Sequence, residues 1–387
     1  MINKANGIKM LKYTGFLSLS LFISFCGFNE SKNEKSESKK PLNPLSDWGE
    51  IYVLESDSLS GQLLSKFMDS TTFGKSSLKV HPFSKLYKNK GTLYILEKKG
   101  ADNLIRLNVT PEAKDVMVYK THLREGGNPS GIAFYNKNKA YISLEDVPEV
   151  LVFDLITGKV LKSIDLSPYI YQPDTGVAAR SPHAVDICLA RGMVYVLLQR
   201  RQNEQGLPSG PSQIVSINPL SDTIEGEFPL NSYNGQKLIA DSVVLYVSSI
   251  GKGQWGELGD GGGIQKIDLL KGSSQTIVTD TDLGGDPMSM VKKWESYYFV
   301  TVYKNQKDIQ IKHVDYETSE VYALFSEYLQ MAFCFDYDEL SSFFYMCTKD
   351  SNGVNFTEFD YDGNILNEPL KGDLFPYDIL VLDSLDE

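Results

Sequence analysis

Histidine and cysteine are scarce in this chain, four of each in 387 residues. So few imidazoles disfavour a copper or haem site built from histidine. Three of the cysteines, Cys188, Cys334 and Cys347, fall inside apolar strand-like runs. An odd number without regular spacing speaks against a disulfide framework. Cys334 and Cys347 could face each other on neighbouring strands, but buried thiols are the expectation. Positive charge is in deficit as well: 38 Lys and Arg stand against 50 Asp and Glu, for a net charge of −12. With no basic stripe and no aromatic–basic platform, nucleic acid is not the expected partner.

Long apolar runs are missing except at the N-terminus. There Lys4, Lys9 and Lys12 precede an apolar run over residues 15–25, and Cys26 follows at once. A basic region before an apolar run of this length is a secretory signal, too short to span a bilayer in the mature protein. Ending on Cys26-Gly27, it resembles a bacterial lipoprotein signal. Ile23 and Ser24 match the lipobox, while Phe25 departs from it by its bulk. The resemblance implies a signal peptide over residues 1–25, fatty acylation (palmitate) of Cys26, and attachment to a membrane of the cell envelope, the outer membrane, facing the periplasm or the surface. Residues 27–46 are polar and charged with almost no apolar side chains, the composition of a flexible tether. Residues 47–387 then form the folded domain.

Tyrosine and phenylalanine are plentiful, at 22 and 19, and suit strands. Residues 128–166 hold four short apolar runs separated by Asn-Lys-Asn, Asp-Val-Pro and Thr-Gly, the pattern of an antiparallel meander. One such sheet would be marginal alone, so repetition is expected. The aromatic of its second run, Tyr141, has counterparts at Tyr52, Tyr94, Tyr195, Tyr246, Phe299 and Tyr345, separated in chain order by 42, 47, 54, 51, 53 and 46 residues. The third run ends in an acid or amide before a turn, at Asp154, Asn218, Asp268, Asp315 and Asp360, where Asx side chains and Gly favour tight hairpins. First runs open on X-Pro at Pro82, Pro129, Pro182, Pro287 and Pro376. Pro is tolerated there because a strand's first residue needs no ladder donor. Seven units of about 50 residues and four strands each match the period of a β-propeller blade. The folded part begins on a second strand and ends on an unpaired first-strand pattern, residues 376–382. An all-β seven-bladed β-propeller is therefore predicted, closed by pairing of the C-terminal strand with the first blade, which removes open edges.

The units resemble the YVTN-type repeats of bacterial propellers, related to NHL and lactonase-like repeats. The residues that carry this are Pro129, Gly131, Ile132 and Ala133, the strand cores Tyr246-Val247-Ser248 and Phe299-Val300-Thr301, and the turn over residues 154–160. The resemblance implies the fold and leaves the activity open, because propellers host binding proteins, enzymes and scaffolds alike.

In a propeller the first strands line the channel and begin at one mouth, where the loops from second to third and from fourth to first strand also open. The ring expected there is His81, Asn128, His183, Gln236, Asp286, Gln330 and Tyr377, one residue per blade. Long loops on the same face bring Tyr169, Tyr171 and Arg180, the arginines of residues 200–211, and Trp255, a composition suited to recognition. Nothing in the ring pairs a nucleophile with a base and an orienter. The lactonase-like resemblance implies a channel metal held by Glu, Asn and Asp, for which Asp286 and Asn128 are the candidates, with no Glu. Residues 280–286 and 360–364 look calcium-like but lack the remaining ligands, and read as turns. Gly259 to Gly263 lacks the Lys-Ser/Thr of a nucleotide loop. The residues call for no cofactor. The expected function is a non-catalytic envelope lipoprotein whose propeller face binds a protein, glycan or small ligand. A metal-dependent hydrolase or lactonase of the channel (Asp286, Asn128, His183) and an envelope assembly scaffold are the alternatives.

Overall fold

The computed structural model describes residues 50–382, apart from residues 58, 68–71, 110–115, 173–178, 202–209, 254–257, 259–260, 294–296, 306–307, 324–331, 339–342, 351–352, 361 and 373. Cys26 and the segment before residue 50 therefore lie outside the described residues. Among those described, the strands form seven antiparallel four-stranded sheets, each a blade. Blade 1 joins Glu50–Ser56, Gly61–Phe67 and Gly74–Val80 to the C-terminal strand Phe375–Leu382. The other blades follow in chain order, with first, inner strands Ser84–Asn89, Pro129–Phe134, Ala184–Ala190, Gly235–Asp241, Asp286–Lys293 and Ala332–Asp338. The ring closes as expected: Glu50 pairs with Leu382 and Ser56 with Phe375. All seven repeat aromatics fall on second strands.

Seven hydrophobic clusters fill the seven blade–blade interfaces, and period-two alternation explains how one strand serves two of them. In blade 1, Ile51 and Val53 pack with Tyr345, Cys347 and Phe356 of blade 7, while Tyr52 and Leu54 pack with Leu93, Ile95 and Ile105 of blade 2. In blade 3, Ile132, Ile142 and Leu151 meet blade 2, whereas Tyr141, Val150 and Val152 meet blade 4. The six repeat tyrosines are thus wedges between blades: Tyr52 and Tyr141 are fully buried. The Tyr141 hydroxyl finds its partner across the interface at Asp222, a carboxylate also held 2.7 Å from Lys139 Nζ.

Carboxylates on the inner strands add a second kind of tie. Asp378 Oδ2 accepts the Leu86 N–H at 2.7 Å, Asp186 Oδ2 the Leu238 N–H at 2.9 Å, and Asp336 Oδ2 the Val381 N–H at 2.9 Å. Each bond joins an inner strand to that of the next blade, satisfying a donor that the sheet leaves over.

The expectation of buried thiols fails at one pair. Cys334 and Cys347 lie directly opposite in the first and second strands of blade 7, with Cα atoms 5.0 Å apart, and form a disulfide. That separation lies within the range a disulfide spans, and register brings the pair together. Cys188 stays a free thiol, its pKa pushed up by burial and by the neighbouring Asp186 charge.

Candidate functional site

The channel mouth is built from two repeated backbone devices. The first is a residue with positive φ just before the inner strand: Asn128 (49°), His183 (54°) and Asn234 (58°). Its carbonyl accepts the N–H of the first residue past the second strand, at 3.1 Å for Glu145, 2.9 Å for Gln199 and 3.2 Å for Ile250. This conformation is tolerated by Asn and disfavoured by most other side chains. The second device is a register shift two residues later, present in blades 1 and 3 to 7. A bulge re-aims a side chain. Gln236, Met288 and Tyr377 occupy these bulges, and all three line the channel cavity.

The ring expected from the sequence therefore mixes two kinds of position. Asn128 and His183 precede their strands, and Asp286 opens its strand as a fully buried side chain. Gln236 lies two residues deeper than its blade's lead-in residue, which is Asn234. His81 is occupied locally: its N–H donates to Glu97 Oε1 at 3.0 Å, and its Nδ1 accepts the Phe83 N–H at 3.3 Å. Gln330 and Trp255 lie outside the described residues.

Among the described residues, blades 2 to 4 bring a cluster of charges together at the mouth. Glu145 takes an ion pair from Arg201, the Asn128 amide at 3.2 Å and Lys98 Nζ at 3.8 Å. Asn128 is saturated, since its Oδ1 accepts the Lys99 N–H and its own N–H donates to Asp102, both at 3.2 Å. Lys98 is brought down to about 8, first by burial, then by the nearby charge of Lys85, with Glu145 opposing. Asp146 is pushed up by burial and by Glu145. His183 is lowered to about 4 by burial and Arg201, so its imidazole is neutral at physiological pH. Lys99 caps the Phe83 ring at 4.3 Å, and Phe83 meets Tyr377 edge-on at 5.6 Å.

Below the mouth the channel holds a cavity of about 570 Å³ lined by Lys85, Tyr87, Gln236, Lys237, Tyr377 and Asp378, with Met288, Ser289 and Phe335 on its far wall. Lys237 pairs with Asp186 at 3.1 Å. Lys85 donates to the Ser130 carbonyl at 3.4 Å and acts by its charge on Asp378. Burial raises both Asp336 and Asp378 to about 6.

The tyrosines of the long blade 4 loop form a separate cluster. Tyr171 stacks against Arg200 at 5.8 Å, and Arg200 bonds Gln213, which reaches Glu227 at 3.0 Å. Glu227 also bonds the Tyr169 hydroxyl. Gly210 is required there, because a Cβ would sit 2.7 Å from the Tyr171 ring. Arg180 is exposed.

The two calcium-like stretches are turns. Asp280–Leu283 is one helical turn with a Thr279/Asp282 capping box and Gly284 at φ 71°. Asp360 spends its carboxylate on the Asp362 and Asn364 N–H groups. Among the described residues, no three His, Cys, Asp or Glu side chains converge as a ligand set. Asn128 and Asp286 stand at the starts of the inner strands of two separate blades, 3 and 6. Lys98, Lys85 and Glu145 are absent from the expected ring. The run Glu97-Lys98-Lys99-Gly100 carried the only available signal: two cations in a second-to-third strand turn, which opens at the mouth.

No protein family matches the chain by sequence, and no curated protein is similar to it. Solved structures do match. A candidate 6-phosphogluconolactonase from Bacteroides fragilis is 12% identical, with a TM-score of 0.60 over 88% of this chain and 99% of that one. A protein of unknown function from Desulfotomaculum acetoxidans is 10% identical, with a TM-score of 0.58 over 86% of this chain and 98% of that one. Hydrazine synthase from Kuenenia stuttgartiensis is 12% identical, with a TM-score of 0.56 over 80% and 91%. The likeness is one of fold. The seven-bladed propeller is shared, and the side chains of the mouth belong to this chain.

Proposed function

We propose that this protein is a non-catalytic binding module of the bacterial cell envelope, lipid-anchored through Cys26, whose channel mouth takes a small anionic ligand. The observation that carries the reading is the crowding of Lys85, Lys98 and Lys99 beside Arg201 in a chain with a net charge of −12. At Lys98 the charges of Glu145 and of the upward-shifted Asp146 oppose this crowding, yet Lys98 is still brought down to about 8. An incoming anion relieves that repulsion and restores the ammonium, while Phe83 and Tyr377 offer an aromatic wall and Gln236 an amide. Sequestered cations with few water contacts bind anions more strongly than exposed ones.

Calorimetric titration of the full chain with citrate, glucuronate and inorganic phosphate, against neutral glucose, tests this. Binding of at least one anion and not of glucose is expected. Its affinity should fall about tenfold between pH 7 and pH 9 as Lys98 loses its proton. Lys98→Met should abolish both the binding and its pH dependence, whereas unchanged binding in that variant refutes the assignment.

A further inference from the structure

The face opposite the mouth carries a regularity that ligand binding does not use. Five blades turn from third to fourth strand through the same Asx turn. Asp154, Asn218, Asp268, Asp315 and Asp360 each accept the N–H of the residue two ahead, at 2.8, 2.9, 2.9, 2.8 and 3.0 Å. The residue at that tip is Ile156, Leu220 and Leu270 in blades 3, 4 and 5, and Glu317 and Asp362 in blades 6 and 7. The three aliphatic tips are 58%, 83% and 65% exposed. Nothing in a tight turn requires a large apolar side chain at its most exposed point, and leaving it in water costs free energy.

Charge follows the same division. Lys137 and Arg191, in turns of blades 3 and 4, and Lys159, which opens the outer strand of blade 3, are exposed; Lys159 acts by its charge on Asp154, and none of the three makes an ion pair within 4 Å among the described residues. The acids beside them are committed. Asp154 holds two backbone N–H groups and the Thr157 hydroxyl, Asp222 holds Lys139 and Tyr141, Asp241 holds Lys292 at 2.8 Å, and Glu225 takes the Asn218 amide. Asp268 holds its own turn and Lys271. Glu50, where the described chain begins, pairs with the last residue of an inner strand and so lies on this same face.

We propose that the rim formed by the tips of blades 3 to 5 rests on an anionic lipid surface, with Ile156, Leu220 and Leu270 entering the headgroup layer. Single aliphatic tips on three separate turns suit a fluid planar interface better than a protein partner, which needs a contiguous packed patch. Unpaired Lys and Arg around them meet the negative potential of such a surface. The tips of blades 6 and 7 are the acidic Glu317 and Asp362, which places the contact on the side of blades 3 to 5. The mouth then faces away from the lipid. The inference goes beyond ligand binding at the mouth and does not depend on it.

The test uses the full chain with an environment-sensitive fluorescent amino acid in place of Leu220, or of Leu59 on the mouth side, added to vesicles of phosphatidylcholine with or without phosphatidylglycerol. With phosphatidylglycerol, the probe at 220 should shift to the blue and be quenched by spin-labelled lipid, while the probe at 59 stays in water. Combined Lys137→Ala, Lys159→Ala and Arg191→Ala should weaken the contact roughly 100-fold, at about fivefold per basic residue. Vesicle flotation, scored separately, reports whether the N-terminus holds the chain, so loss of the anchor and loss of the rim contact give different results. A floated chain whose probe at 220 stays in water overturns the proposal. So does a shift that requires added membrane proteins, which would assign the rim to a protein partner.

Discussion

Replacing Asp378 by Asn should make the propeller more stable at neutral pH, against the usual expectation for a buried, hydrogen-bonded residue. Asp378 Oδ2 accepts the Leu86 N–H at 2.7 Å, and an Asn carbonyl oxygen can keep that bond. What Asn removes is the charge. Burial raises the carboxyl from 3.8 to about 6 in the folded protein, with Lys85 only partly compensating. The folded state thus holds its proton more tightly than the unfolded chain does. Its contribution to stability is fully present below about pH 4 and is lost as the pH rises through about 6. Two units at 1.36 kcal/mol each set a ceiling of about 3 kcal/mol, and contact with channel water reduces this to about 2 kcal/mol. Urea unfolding from pH 4 to pH 7.5 should show Asp378→Asn level with the parent at pH 4 and about 2 kcal/mol above it at pH 7. Asp378→Ala loses the acceptor and should fall below the parent at pH 4, by about 1–3 kcal/mol. The reasoning fails if the Asn variant keeps the parental slope, or if Asn and Ala destabilise equally at pH 7.

The remaining expectations concern packing and the cross-link. Reduction of Cys334–Cys347, 13 residues apart, should lower stability by about 2–3 kcal/mol, read as a drop in melting temperature on adding reductant that is absent in Cys334→Ala/Cys347→Ala. Tyr141→Phe leaves Asp222 with one partner fewer across the blade 3–4 interface and should cost about 1–2 kcal/mol in urea unfolding. Gly158→Ala should cost at least about 1 kcal/mol by the same measurement, because φ is +67° and the new methyl meets the Tyr119 ring at 2.9 Å.

The architecture was legible because every blade solves one packing problem with one set of residues. A buried aromatic on the second strand and an Asx turn after the third recur often enough to set period, count and closure. The disulfide was not legible: its partners are joined only by cross-strand register, which spacing alone does not reveal. The positions of the expected ring were legible in part. Asn128 and His183 directly precede their inner strands, because the X-Pro signals locate where those strands start. Gln236 was displaced by two from its blade's lead-in residue because a bulge intervenes, and bulges have no composition of their own. Lys98 and Glu145 escaped notice because they follow second strands, where the repeat shows its least regular residues. Their burial and mutual charge exist only once blades 2 to 4 are side by side.

The inner strand of blade 1 is Phe375–Leu382, far in sequence from the rest of its blade at residues 50–80, and it carries both Tyr377 and Asp378. A nascent or truncated chain lacking residues 375–382 has an open ring, no Leu86 tie and a cavity missing one wall. The channel is therefore complete only once this strand has paired with Glu50–Ser56. Loss of this one strand would remove ring closure and a channel wall together, coupling two features that the other blades keep separate.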